Sequence, residues 1–242
     1  MRTMEKSTAC PMAERKPVLY AASVAPLADA ERYAAAYAAA SPARREKIDR
    51  FRFEKDKRLS LGAELLLRHA LRAQGFGEVP MTFDYGTQGK PYFKDGSVFF
   101  NLSHSEEYVV CALAPYEVGC DVEKITPIDL NIARRFFFRS EYADIAAQET
   151  AEARNDLFFR YWTLKESFMK TTGLGMKLPL DAFEIVRTAG ITVRQSVDTR
   201  QYSFAEFDDL FSYRCALCAV GDCRSAVLHT VDFAELLPPT VL

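Results

Sequence analysis

The chain has 242 residues, 49% of them hydrophobic and 26% charged, with a formal net charge of -2 at pH 7. This is an ordinary globular composition, long enough for one large domain or two small ones. It offers nucleic acid no global positive charge, and no uncharged apolar run reaches membrane-spanning length, so neither nucleic acid nor a membrane is expected as a partner.

Residues 1–16 are polar and lack the apolar run of a secretory signal, which predicts a poorly ordered N-terminal segment on a cytoplasmic protein. Residues 18–24 read as a strand, and the Ala-rich 29–40 as a helix. Ser41 followed by Pro42 is a helix-start signature, with a helix expected over 42–50. Leu61, Leu65, Leu66, Ala70 and Leu71 recur at helical spacing, which predicts a helix over 58–74 closed by Gly75. Residues 79–84 and 98–102 read as short strands around the turn-rich 85–91. Strands over 108–114 and 118–123 suggest a hairpin about Pro115 and Tyr116. Helices are expected over 128–137, from Ser140 as N-cap to about 150, and from Asn155 or Asp156 to the glycines Gly173 and Gly175. Segments 183–186, 191–197, 201–207 and 213–220 read as strands, with His229 on a late one.

Basic residues crowd between 44 and 58, interrupted by Glu46, Asp49, Glu54 and Asp56. Most of that stretch is a mixed-charge solvated face, with one or two side chains available to a phosphate. Of the cysteines, Cys215 and Cys218 have C-x-x-C spacing but lie in an apolar strand-like run, and no second Cys or His pair has zinc spacing. Core packing is the expected role, and nothing demands an oxidising compartment.

Two runs carry chemistry. Gly119-Cys120-Asp121-Val122-Glu123 places carboxylates two residues apart in an apolar stretch. In a strand these face the same side, with Val122 turned into the core. In the helix through Trp162-Thr163-Leu164-Lys165-Glu166-Ser167, i and i+4 spacing puts Trp162, Glu166 and Lys170 on one stripe. Three convergent carboxylates without a His or Cys ligand set suit a hard cation. Mg²⁺ leads and Mn²⁺ is left open, and such a cation commonly serves a phosphate-bearing substrate.

The ordered set Gly89-Lys90-Pro91, Asn101-Leu102-Ser103-His104-Ser105, Gly119-x-Asp121-x-Glu123 and Trp162-x-x-Lys165-Glu166-Ser167, followed by Lys170-x-x-Gly173-x-Gly175, resembles the 4′-phosphopantetheinyl transferases of the larger monomeric kind. The likeness is strong over about residues 40 to 185. It implies an α+β fold of two similar halves about a pseudo-twofold axis, with the site between them. The halves are expected as 17–117 and 118–242. A repeated Cys-Ala-Leu, at Cys111 and again at Cys215, agrees with such an internal repeat.

The implied reaction moves the phosphopantetheine arm of coenzyme A onto a serine of an apo acyl or peptidyl carrier protein. The implied metal ligands are Asp121, Glu123 and Glu166. Glu166 is also the implied base for the serine hydroxyl, directly or through a water on the cation, and Lys170 steadies the leaving phosphates. Arg44, Lys47 and Ser60 fall near the 3′-phosphate, Lys90 along the coenzyme, and Ser103 and His104 at a phosphate. Leu59 separates Arg58 from Ser60, where the family prefers a basic residue just before the hydroxyl, and Cys120 replaces an aliphatic residue. His69 and His229 have no acidic or cysteine partner in local spacing.

Phe136, Phe137 and Phe138 cannot all face one core from a helix, since successive residues are about 100° apart. At least one is expected at the surface, in the region with which the family grips its carrier. The rival from another class is a non-catalytic coenzyme A or carrier-protein binding module, which predicts a damaged carboxylate set. An unrelated Mg²⁺-dependent phosphohydrolase would need its own phosphate loop, and no G-x-x-x-x-G-K-[ST] run is present.

Overall fold

Alternation along the central strands decides the architecture. The structure, a computed structural model, describes residues 15–96 and 98–237. Strand β1 (Val18–Ser23) leads to helices α1 (Ala30–Ala39), α2 (Pro42–Asp49) and α3 (Glu54–Ala73). The short pair β2 (Asp84–Tyr85) and β3 (Pro91–Tyr92) precedes β4 (Phe99–Ser105), β5 (Tyr108–Ala114) and β6 (Val118–Lys124). Helices α4 (Leu130–Phe136), α5 (Arg139–Ala146) and α6 (Ala151–Thr172) follow. Then come β7 (Glu184–Val186), β8 (Thr192–Arg194), β9 (Ser203–Phe207), β10 (Tyr213–Ala219), β11 (Val227–Thr230) and α7 (Phe233–Leu236).

Two sheets form the centre, one ordered β11-β1-β5-β4 and the other β6-β10-β9. On β1 and β5, Val18, Tyr20, Val109, Cys111 and Leu113 pack with Leu61, Leu65 and Leu66 of α3. Their alternates Leu19, Ala21, Val110 and Ala112 meet Val118, Cys120, Val122, Cys215 and Leu217 of the second sheet. On β10, Ala216 and Cys218 turn instead to Leu164 and Phe168 of α6. Period-two side chains thus give four layers, helix, sheet, sheet and helix, with a shared apolar core between the sheets. Each Cys-Ala-Leu repeat lies on a strand with a partner on both edges, β5 in one sheet and β10 in the other. This is the α+β architecture of two similar halves.

Several boundaries differ from the sequence expectations. Residues 79–83 form no strand, since Pro80 lacks a ladder donor, and only Asp84 and Tyr85 pair. Helix α3 begins a turn early, its first turn favoured by Glu54 and Asp56. Helix α6 starts at Ala151, capped by the Thr150 hydroxyl on Ala153 N. Ser140 does not cap α5. Glu141 reaches back to Phe138 N at 2.9 Å, and the Ser140 hydroxyl donates to Glu184.

Strands β5 and β6 are not a hairpin. Both edges of β5 are taken by β1 and β4, so β6 pairs antiparallel with β10. A division of the chain at 117/118 likewise does not separate the two sheets, because β11 returns to run parallel with β1. The expected disorder of 1–16 falls, apart from Arg15 and Lys16, outside the described residues. No helix among the described residues is long and apolar enough to cross a membrane.

Candidate functional site

The site forms where the edge of β4 meets the edge of β6. These edges are joined by side chains rather than a backbone ladder. Asn101 Oδ1 accepts from Cys120 N at 2.9 Å, Ser103 Oγ donates to Asp121 Oδ1 at 2.8 Å, and Ser105 Oγ donates to Glu123 Oε2 at 2.7 Å. Residues 101, 103 and 105 share one face of β4, so alternation alone supplies the three rungs. Sequence reasoning does not single out Asn101 and Ser105 as site residues. Their two-residue spacing, matching that of Asp121 and Glu123, is the signal that could have found them.

Helix α6 lies against the same strand. A Cβ on Gly119 would overlap the Ser167 carbonyl and stand 2.6 Å from Thr171 N, so only glycine lets the helix approach this closely. Thr171 Oγ1 donates to Cys218 O at 3.0 Å and anchors the helix to β10. The approach brings Lys170 Nζ within 2.6 Å of Asp121 Oδ1 and 2.9 Å of Ser103 Oγ. Trp162, Glu166 and Lys170 do share a half-buried stripe, and Trp162 stacks on Phe158. Gly173, at φ 75, ends the helix in the left-handed conformation.

Between Glu166 and the core sits an ion pair not foreseen from sequence. Lys165 Nζ and Glu141 Oε1 are 2.8 Å apart, and both side chains are fully buried. Lys165 also donates to Leu180 O at 2.8 Å and Phe183 O at 2.9 Å, while Glu141 accepts from Ile185 N at 2.7 Å. Every ammonium proton has a partner, which makes burial tolerable. The pair ties α5 and β7 to the helical turn that carries Glu166.

The electrostatics of the seam are one-sided. Asp121 is buried, and its Oδ2 has no hydrogen-bond partner among the described residues. Burial, then repulsion from Asp121, pushes Glu123 up to about 7. Burial and the Asp121 charge also raise Glu166, whose carboxylate has no hydrogen-bond or ion-pair partner among the described residues. Burial opposes the charge on Lys170, but Asp121 outweighs it and holds the ammonium above its ordinary range. Three carboxylates thus face one ammonium. A divalent cation supplies the missing charge and a partner for Asp121 Oδ2, so donor type and charge fit one. Among the described residues the side chains are not drawn into a closed ligand set. Ser105 holds Glu123, and Lys170 takes one oxygen of Asp121.

Lys90 and Lys170 line a crevice of about 190 Å³ with Gly89, Asn101 and Gly173. Lys90 Nζ donates to Val118 O at 2.9 Å and lies 3.3 Å from Glu117 Oε2. A second hollow of about 480 Å³ flanks Lys90 on the side of Tyr92 and Phe99. A larger one, about 1010 Å³, lies elsewhere, between Arg32 and Asp232, and contains none of the candidate residues.

Arg44 and Ser60 form a separate group. Arg44 Nε is 3.2 Å from Glu64 Oε2, and Arg44 Nη1 donates to Ser60 Oγ at 3.1 Å. Glu64 also accepts from Ser41 N at 2.7 Å and from Arg68 Nη2 at 3.0 Å. Lys47 stands exposed one turn beyond Arg44 on α2. His104 is exposed on the face of β4 opposite Ser103, apart from the Ser103–Asp121–Lys170 contact.

Comparisons with known proteins bear on this arrangement. The family model described as 4′-phosphopantetheinyl transferase superfamily matches residues 117–218, and one described as 4′-phosphopantetheinyl transferase, N-terminal, matches 27–116. A 4′-phosphopantetheinyl transferase of Bacillus subtilis is 36% identical over 205 residues, covering 83% of this chain and 91% of that protein. The chain belongs to the 4′-phosphopantetheinyl transferases. The 4′-phosphopantetheinyl transferase Sfp of Bacillus subtilis strain 168 is 33% identical, over 81% of this chain and 89% of its own length. The 4′-phosphopantetheinyl transferase gsp of Aneurinibacillus migulanus is 36% identical over 69% and 70%. The two model matches of this transferase meet at 116/117, in the turn between β5 and β6.

Proposed function

We propose that this protein transfers the 4′-phosphopantetheine arm of coenzyme A to a serine hydroxyl of an apo acyl or peptidyl carrier protein, using Mg²⁺ and releasing adenosine 3′,5′-bisphosphate. One observation carries the reading: Lys170 meets Asp121 and Ser103 where a lysine-lined crevice opens beside an uncompensated carboxylate group. Membership of the transferase family supplies the reaction class.

In this reaction the carrier serine oxygen attacks the phosphorus bearing the pantetheine arm. The bond from that phosphorus to the bridging oxygen of the diphosphate breaks, and its electron pair leaves on adenosine 3′,5′-bisphosphate. The serine proton goes to Glu166, the half-buried carboxylate without a partner. Lys170 steadies the charge growing on the leaving phosphate. Asp121, Glu123 and Glu166 are the residues to hold the cation, which when bound neutralises and orients the diphosphate. Mn²⁺ shares these oxygen preferences and is the second candidate.

Lys90 is assigned to the coenzyme along the crevice, and Ser103 and His104 to a phosphate contact. Arg44, with Lys47 and Ser60, is assigned to the 3′-phosphate. Glu64 and Ser60 orient the Arg44 guanidinium, while its Nη2 has no hydrogen-bond partner among the described residues. The protein is read as a cytoplasmic monomer, which sedimentation of the purified chain would check by returning the mass of one copy.

The test is direct. Purified protein, coenzyme A, Mg²⁺ and an apo carrier protein should yield a carrier heavier by the phosphopantetheine arm in mass spectrometry. Binding of coenzyme A and carrier without that mass gain would establish the non-catalytic module instead. The three carboxylates, all present, weigh against that module.

A further inference from the structure

Ser105 lies outside the residues assigned to metal, coenzyme or proton transfer, yet it touches the seam twice. Its Oγ donates to Glu123 Oε2 at 2.7 Å and accepts from Lys124 N at 3.3 Å. The hydroxyl therefore bridges a side chain and the backbone of the same strand, which fixes where its proton points. Glu123 Oε1 has no hydrogen-bond partner among the described residues. Ser103 treats Asp121 in the same way, engaging Oδ1 while the buried Oδ2 has no hydrogen-bond partner among the described residues. Each serine of β4 thus occupies one oxygen of the carboxylate opposite and leaves the other free.

We infer that Ser105 is a positioning residue that presents Glu123 Oε1 to the divalent cation. This rests on the cation reading above. A carboxylate with one oxygen anchored loses rotamer freedom before the cation arrives, so less ordering is left for the binding step. Without the hydroxyl, Glu123 rotates away from its charged neighbours Asp121 and Glu166 toward solvent, and the cation must draw it back against that repulsion. Ser105 touches neither coenzyme nor carrier in this assignment, so its effect falls on the cation first.

The probe is Mn²⁺, titrated into the full-length protein without coenzyme A and followed by the loss of the free-ion electron paramagnetic resonance signal. Ser105→Ala should weaken Mn²⁺ binding roughly tenfold. Ser105→Thr, which keeps the hydroxyl, should restore it. In a Glu123→Gln background, Ser105→Ala should cost little more, because the carboxylate it positions is gone. Circular dichroism and thermal unfolding check that each variant is folded, and Ser105→Cys, a weak donor, replaces the alanine variant if that one is not. If the folded alanine or cysteine variant binds Mn²⁺ as tightly as the parent, the inference is overturned and the cation reading stands. If the parent itself binds no Mn²⁺, both are overturned.

Discussion

Gly119 and Ser167 face each other across the packing of β6 against α6, so closely that the Ser167 carbonyl occupies the place of a side chain at Gly119. Lys170 of α6 can meet Asp121 only because that space is empty. Gly119→Ala should push the helix outward and destabilise the protein by about 1–3 kcal/mol. Urea unfolding measures the loss, and transfer should fall further than stability alone explains, since Lys170 leaves Asp121. An alanine variant with parental stability and turnover would show that the helix position does not depend on this contact.

Asp121→Ala and Glu166→Ala should each lower transfer by on the order of 100-fold or more, with the fold retained. Chelation of divalent cations should abolish the parent's activity, and added Mg²⁺ should restore it. Mass spectrometry of the carrier reads both effects. Near-normal turnover of Asp121→Ala at saturating Mg²⁺ would remove the seam from the mechanism.

Coenzyme A without its 3′-phosphate should bind the parent more weakly, because hydrogen bonds to charged groups are worth roughly 1.5–3 kcal/mol. Combining Arg44→Ala with Lys47→Ala should erase the difference between the two forms in calorimetric titration. If the double variant still binds both as the parent does, the 3′-phosphate lies elsewhere.

Glu64 has a structural role beneath that site. Burial pushes its carboxyl up, but bonds from Ser41 with the charges of Arg44 and Arg68 outweigh it and hold the carboxyl below the usual range. Glu64→Ala should cost about 3–5 kcal/mol at neutral pH by stripping Arg44 of its partner. A lowered folded pKa stabilises above the unfolded glutamate value, near about 4.3, and that gain disappears as pH falls through the folded value. The stability gap between parent and variant should therefore narrow as pH falls through that lowered folded value. A gap that persists in acid would mean the carboxylate charge is not what stabilises this corner.

The three phenylalanines divide because α4 stops at Phe136 and the chain turns extended, which sends Phe137 and Phe138 to opposite sides. Phe137 is buried and stacks on Phe158, with ring centroids 5.1 Å apart, whereas Phe136 and Phe138 are 45% and 37% exposed. Phe137→Ala should destabilise by about 3–5 kcal/mol. Phe136→Ser should leave folding and coenzyme A affinity unchanged and raise the apparent KM for the carrier. A loss of coenzyme affinity instead would move this surface out of carrier recognition.

Local chemistry was legible in the chain itself. Period-two spacing put Asp121 and Glu123 on one face, period 3.6 aligned Trp162, Glu166 and Lys170, and Ser41 and Gly173 marked helix ends, because each depends only on near neighbours. What the tertiary structure alone decided involves partners far apart in sequence. The Asp121 pairing with Lys170, the Ser105 bond to Glu123 and the buried Glu141–Lys165 pair span separations that no periodicity encodes. The separation of β5 from β6 is of the same kind. Adjacent strands suggest a hairpin, but β5 has both edges filled by β1 and β4, so β6 finds β10 almost a hundred residues away, and the free edge left on β6 becomes the seam where the site forms.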